Sequence, residues 1–317
     1  MSATHHSCLS RKAAFLLAAV ILFAAVSGCA STKPASVPEP SAPPATAEPS
    51  AEPLQIDLVA AETPEPAPAV TLTPSPSPTP EPALKGFIVG IDPGHQLHYD
   101  PSDEPVAPGS STMKKKVAGG CQGVKSRIFE YEVNLAVGLC LRDLLEADGA
   151  TVVMTRTVQD VNISNSARAI MFNDANVDLG IRIHADKASD HNKRGVHMLI
   201  PKEYRTDWYD TNLKAAQCIL EHYHSVTGIP IVKGTGISER GDQSGFNWCT
   251  RPIVCIEMGY LSNPEDDALL SDPDFQKVMA RGLYEGIRAF LLGEPSFVEA
   301  EINTGSDTLE DTENSDE

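Results

Sequence analysis

The chain has 317 residues and a mass of 33.9 kDa, with 25 prolines and a formal charge of −18. A sequence pI near 4.8 argues against a nucleic-acid binder, because no continuous basic surface is available to neutralise phosphates. Fifteen of the prolines fall between Lys33 and Pro82, and residues 295–317 carry eight acidic side chains without a Lys or Arg. Such ends cannot bury enough apolar surface to offset the entropy of ordering, which leaves 85–293 as one domain of ordinary size and 294–317 as a solvated acidic tail.

Arg11 and Lys12 precede an unbroken apolar run from Ala13 to Val26, the length of a signal-peptide core and short of the roughly 20 residues of a membrane-spanning helix. Residues 1–28 therefore read as an export signal. The run ends in Val26-Ser27-Gly28-Cys29, which resembles a bacterial lipobox. That resemblance implies cleavage before Cys29 and its lipidation, with acyl chains contributing about 0.8 kcal/mol per buried CH₂ to hold the protein on the membrane outer leaflet. Residues 29–84 read as a disordered Pro-rich tether. In a polyproline-like state at ~3.1 Å per residue, about 55 residues reach well over ~100 Å.

Residues 87–91 form a short apolar, β-branched run closed by Asp92-Pro93-Gly94, a strand ending in turn residues. Residues 96–127 are a long polar excursion, in which Lys114-Lys115-Lys116 reads as a solvated loop. From 128 to 148, Val133, Leu135, Val137, Leu141, Leu144 and Leu145 recur near helical spacing, and Gly149 follows as a stop. Strands are predicted at 151–154, 178–183, 196–200 and 252–256, with helices at 162–176, 211–227 and 274–292. This alternation predicts an α/β fold: an open, mostly parallel twisted sheet flanked by helices, in a single catalytic domain. Beyond Cys29 the thiols are Cys121, Cys140, Cys218, Cys249 and Cys255, an odd number without a C-x-x-C pair, so neither a zinc knuckle nor a full disulfide framework is signalled.

In an open α/β sheet the functional crevice lies beyond the carboxyl ends of the strands. His95 follows the first strand, His184 the third and Glu257 the run at 252–256, while Glu130 opens the long helix. Two imidazoles and one carboxylate make a three-ligand zinc set that leaves a fourth position for water, whose pKa zinc would lower towards about 7. The remaining carboxylate can then take or deliver a proton. His98 spells H-x-x-H with His95 but lies among loop residues, and the segment 241–251, with Phe246, Asn247 and Trp248, reads either as a groove wall or as a packed connector.

Over most of 86–292 the sequence resembles the zinc-dependent N-acetylmuramoyl-L-alanine amidases of the type-3 fold. The landmarks are Ile91-Asp92-Pro93-Gly94-His95, Glu130-Tyr131-Glu132-Val133-Asn134-Leu135, Val153-Met154-Thr155-Arg156, Ile183-His184-Ala185-Asp186 and Ile256-Glu257-Met258-Gly259-Tyr260-Leu261-Ser262-Asn263. The resemblance implies zinc on His95, Glu130 and His184, with Glu257 as the catalytic carboxylate and Glu130 preferred to its rival Glu132. It implies hydrolysis of the amide joining N-acetylmuramic acid to L-alanine in peptidoglycan, and an extracytoplasmic site facing the cell wall that a long tether suits. Arg182 departs from the family pattern, where many relatives have Ser; a substrate or oxyanion contact is its expected role. A non-catalytic wall-binding or regulatory lipoprotein on the same fold is the alternative, which the intact set of four residues disfavours.

Overall fold

The computed structural model describes residues 81–294. The signal segment, Cys29, nearly all of the expected tether and the acidic tail lie outside the described residues. Strands β1 (Ile88–Pro93), β2 (Asp100–Pro105), β3 (Met113–Val117), β4 (Thr151–Met154), β5 (Leu179–Asp186), β6 (His197–Pro201), β7 (Ile237–Arg240) and β8 (Ile253–Tyr260) are joined by six helices. These are α1 (Glu130–Ala147), α2 (Asn165–Asp174), α3 (Tyr209–Thr227), the short α4 (Ser244–Asn247), α5 (Pro264–Leu270) and α6 (Pro273–Leu292). None of them is long and apolar enough to cross a membrane.

The main sheet runs in the order β4-β1-β5-β8-β6-β7. Its first four strands are parallel, β6 joins β8 antiparallel, and β7 pairs parallel with β6. The mostly parallel sheet expected from the sequence is the one that forms, with one antiparallel junction added. Period-two alternation sorts the side chains of the central strands. Val89, Ile91, Ile181, Ile183, Val254 and Ile256 enter one core with Val133, Val137, Leu141 and Leu145 of α1, Ile219 and Tyr223 of α3, and Met279, Leu283 and Ile287 of α6. Each such aliphatic burial stabilises by roughly 1.5–3 kcal/mol. On the other face the Phe172 ring of α2 lies over Gly90 and Gly180, where a Cβ would come within 2.6 and 2.8 Å of it.

Helix ends follow local chemistry. The Ser164 hydroxyl accepts from Ala167 N at 3.2 Å, so α2 starts at Asn165 and not at 162. Asn263 and Asp272 cap α5 and α6, each followed by a proline in the first turn. The packed part also begins before the expected boundary at 85: Leu84 is fully buried, and Ala83 N and Leu84 N donate to Asp148.

Two expectations need correction. Residues 100–117 contain an antiparallel hairpin, β2–β3, and Lys114-Lys115-Lys116 lie on its second strand and not on a loop. The edge strand β7 was not anticipated either. Asp100–Pro105 carries two prolines and three acids without apolar alternation, so the hairpin owes its form to anchoring from outside. Trp248 Nε1 donates to Pro105 O at 2.9 Å, Asn247 Nδ2 to Val106 O at 3.0 Å, and Asn165 Nδ2 to Lys116 O at 2.8 Å. Cys121, Cys140, Cys218, Cys249 and Cys255 are free thiols.

Candidate metal centre

The alternation that sends Ile91, Ile183 and Ile256 into the larger core turns Asp92, Arg182, His184, Cys255 and Glu257 to the opposite face. Register aligns Asp92 with Arg182 and Arg182 with Cys255, then His184 with Glu257 and Glu257 with His197. Adjacent strands are ~4.8 Å apart, so Glu257 stands between two imidazole-bearing neighbours. The turn after β1 delivers His95 with φ of 59°, a left-handed backbone that costs about 1–3 kcal/mol in a residue other than glycine. Two buried guanidiniums hold it there. Arg156 donates to the carbonyls of Pro93 and Gly94 at 2.8 and 3.0 Å, and Arg168 to those of Pro93 and His95 at 3.0 and 3.2 Å.

His95, Glu130 and His184 each offer one ligand atom, and these atoms all lie within 4.8 Å of one another. Glu130 Oε1 stands 3.1 Å from His95 Nε2 and 3.0 Å from His184 Nδ1. Its Oε2 accepts from Cys121 N at 3.0 Å, and Oε1 accepts from Ala185 N at 3.2 Å, so the backbone locks the carboxylate. His95 Nδ1 donates to Ala118 O at 2.8 Å, which leaves Nε2 to carry the lone pair a metal needs. Close quarters are kept open by glycine: a Cβ on Gly94 would sit 2.2 Å from the His184 ring, and one on Gly120 3.1 Å from Glu130 Oε2. Nε2 of His184 is buried without a hydrogen-bond partner among the described residues. Two imidazoles and a carboxylate converging on one point, with one orphaned ring nitrogen, fit a zinc ion.

Burial alone would raise the Glu130 pKa, but His95 and His184 outweigh it and hold the carboxyl well below its usual range. Burial likewise works to lower that of His95, and the Glu130 carboxylate reverses the sign. For His184 burial prevails and brings the ring down to about 4, which keeps it neutral, the form that ligates. Glu257 is pushed well above the carboxylate range, first by burial and then by the carboxylates of Glu130 and Asp186.

Arg182 is 5% exposed and tied down: its Nε donates to Asp92 Oδ2 at 2.9 Å, Nη2 to Asn165 Oδ1 at 3.1 Å, and Nη1 to Gln243 Oε1 at 3.3 Å. Glu132 turns away from the cluster and accepts from Phe129 N at 2.8 Å as part of the helix cap. His98 is exposed and lies 3.7 Å from Asp160, outside the cluster. His197 is buried, 3.6 Å from Asp186 and stacked on Tyr260. In residues 241–251 Trp248 anchors the hairpin, as a packed connector does, and Gln243, Ser244 and Gly245 line a cavity beside Arg182. Sequence reading did not single out Arg168. The signal was a charged residue within the predicted helix at 162–176, and its partner Asp92, 76 residues away, was not paired with it.

The family model for N-acetylmuramoyl-L-alanine amidase, Amidase_3, matches residues 89–289. The chain is 26% identical over 211 residues to a Staphylococcus aureus protein described as "Probable cell wall amidase LytH", covering 65% of this chain and 59% of that one. It therefore spans less than two thirds of the length of these curated relatives. Among solved structures, the N-acetylmuramyl-L-alanine amidase Ami1 of Mycobacterium smegmatis superposes with a TM-score of 0.62 at 26% identity, covering 67% of this chain and 99% of that one. The catalytic domain of CwlV from Bacillus (Paenibacillus) polymyxa shares the fold, with a TM-score of 0.52 at 23% identity over 65% of this chain and 98% of that one. The domain that gathers His95 from the turn after β1, Glu130 from the start of α1 and His184 from within β5, which runs on to Asp186 and does not stop at 183, thus belongs to the Amidase_3 family of N-acetylmuramoyl-L-alanine amidases.

Proposed function

We propose that the chain hydrolyses the amide between N-acetylmuramic acid and the L-alanine of the peptidoglycan stem, with a zinc ion held by His95, Glu130 and His184. The observation that carries this reading is the convergence of those three donors beside the carboxyl of Glu257. When bound, zinc supplies Lewis-acid polarisation of the scissile carbonyl and lowers the pKa of a water. Glu257 takes a proton from the attacking water and returns it to the leaving alanine nitrogen. Its raised pKa suits that double task, because a carboxyl that must accept and return a proton near neutral pH works best when its pKa is drawn towards it. Arg182, ion-paired with Asp92 at 2.9 Å, remains the candidate for a substrate or oxyanion contact.

The same reading places the enzyme outside the cytoplasm, exported by residues 1–28 and anchored to the membrane outer leaflet through lipidated Cys29, with residues 29–84 reaching towards the wall. A non-catalytic wall-binding role gives no reason for a half-buried carboxyl of raised pKa beside a complete donor set. Purified protein is expected to bind one zinc per chain and to release free stem peptide with a new L-alanine amino group from sacculi, identified by mass spectrometry. Chelation should abolish release, and zinc should restore it. A different product, or release unaffected by chelation, would refute the reading. Cys29→Ser should shift the protein from the membrane fraction to the soluble one.

A further inference from the structure

The solvent side of the helical layer carries a cavity of about 670 Å³ where α1, the last turn of α3 and α6 meet. Cys140 and Leu144 of α1, Val226 of α3 and Val278 of α6 line it and are only half-buried. Cys140 is ten residues along α1 from Glu130, ~15 Å, so this face stands apart from the metal donors. Arg281 and Lys277 border the cavity, exposed. Lys277 is held by Asp274 at 2.8 Å, and Asp143, the acid among the lining residues, by Arg142 at 2.6 Å. Arg281 makes no ion pair among the described residues; its guanidinium lies 5.6 Å from the Tyr284 ring centroid. An apolar hollow beside an unpaired cation suits a segment in which apolar and acidic residues alternate.

The chain supplies such a segment. Helix α6 ends at Leu292, and the sequence soon reaches Phe297-Val298-Glu299-Ala300-Glu301-Ile302. Val298, Ala300 and Ile302 alternate with Glu299 and Glu301, the period of an extended strand with one apolar and one acidic face. The other acids of the tail all lie beyond 306.

Chain length permits a return. Gly293 closes α6 with φ of 68°, a left-handed residue that turns the backbone off the helix axis. Val278 is 15 helical positions back from it, ~22 Å. Residues 298–302 lie five to nine positions past Gly293, a reach of ~17–32 Å when extended. We propose that residues 298–302 fold back antiparallel to α6 and occupy this cavity, with Val298, Ala300 and Ile302 on Leu144, Val226 and Val278 and an acid of the segment paired to Arg281. The packed domain then extends to 302, and the solvated tail begins after it. Hydrolysis does not enter into this docking, which stands or falls without it.

Cys140 reports on occupancy. The full-length protein and a chain ended after Glu294 are treated with iodoacetamide, and alkylation of each thiol is timed by peptide mass spectrometry. With the segment docked, Cys140 should react about tenfold more slowly in the full chain than in the shortened one. Val298→Asp/Ile302→Asp in the full chain should bring the rate to that of the shortened chain. Arg281→Glu should speed it about threefold, and adding Glu299→Lys/Glu301→Lys to that variant should restore protection. Slow reaction of buried Cys249 in every variant verifies that the fold is kept. Equal Cys140 rates in the full and shortened chains overturn the proposal, as does protection that survives Val298→Asp/Ile302→Asp. Protection that grows with protein concentration, together with a dimer in sedimentation, assigns the cavity to a second copy and overturns it too.

Discussion

The two faces of the central sheet are built from the same strands and held by different physics. Under α1, α3 and α6 the strands present aliphatic side chains, and stability there comes from removing apolar surface from water. On the face towards α2 and the hairpin they present Asp92, Arg182, His184 and Glu257, and order comes from paired charges and hydrogen bonds to backbone carbonyls. The first arrangement tolerates small shifts without functional loss. The second fixes where individual atoms stand, since every partner removed leaves a buried polar group uncompensated.

The largest effect that tests this contrast is Glu257→Gln, which should lower kcat by roughly 10²–10⁴-fold. Zinc stoichiometry should stay intact and the melting midpoint should not fall, because a neutral amide replaces a carboxyl that burial already disfavours in its charged form. A fall in stability matching the loss of activity would erase the distinction between the faces. Arg168→Met should cost both properties. It strips partners from Asp92, Pro93 O and His95 O, with an expected destabilisation of about 3–5 kcal/mol in denaturant titration and weaker zinc retention. On the opposite face, Leu283→Ala should cost about 2–5 kcal/mol while activity per folded molecule is unchanged.

A smaller effect is the acid limb of stability. The Asp92 carboxyl is fully buried, which alone would raise its pKa, yet Arg168 and Arg182 hold it far below the usual range. A carboxyl depressed in the folded state contributes stability that is complete above its unfolded pKa of about 4 and is eroded as pH falls below that value. Melting midpoints measured between neutral pH and pH 3 should therefore drop for the native protein, and Asp92→Asn should be less stable throughout but flatter over that range. The smallest effect concerns the thiols. Burial pushes Cys249 up to about 11 and Cys255 well above its ordinary value, so both should resist alkylation at pH 8 until the protein is unfolded, as read by mass spectrometry.

Much of the functional face was legible because its residues end apolar runs. His95, His184 and Glu257 stand where β-branched stretches stop, and Glu130 opens a helix marked by apolar spacing. The hairpin was not legible, since Asp100–Pro105 has no alternation and its geometry is imposed by Trp248 and Asn247, respectively 143 and 141 residues distant from their acceptors. Arg182 was visible as an unusual residue. Its restraint by Asp92, Asn165 and Gln243 was not.

The order of apolar and polar positions along the chain, by itself, determined the strands and long helices of the main layers, β7 apart, and which side chains of each such strand share a face, because that periodicity is local. Which charged groups share a carboxylate, which turn holds His95 in a left-handed backbone, and which side chains line the cavity beside Arg182 were decided only by the tertiary structure. Those outcomes depend on burial and on distances between residues far apart in sequence, and the strength of a charge interaction is set by the dielectric surroundings that packing creates.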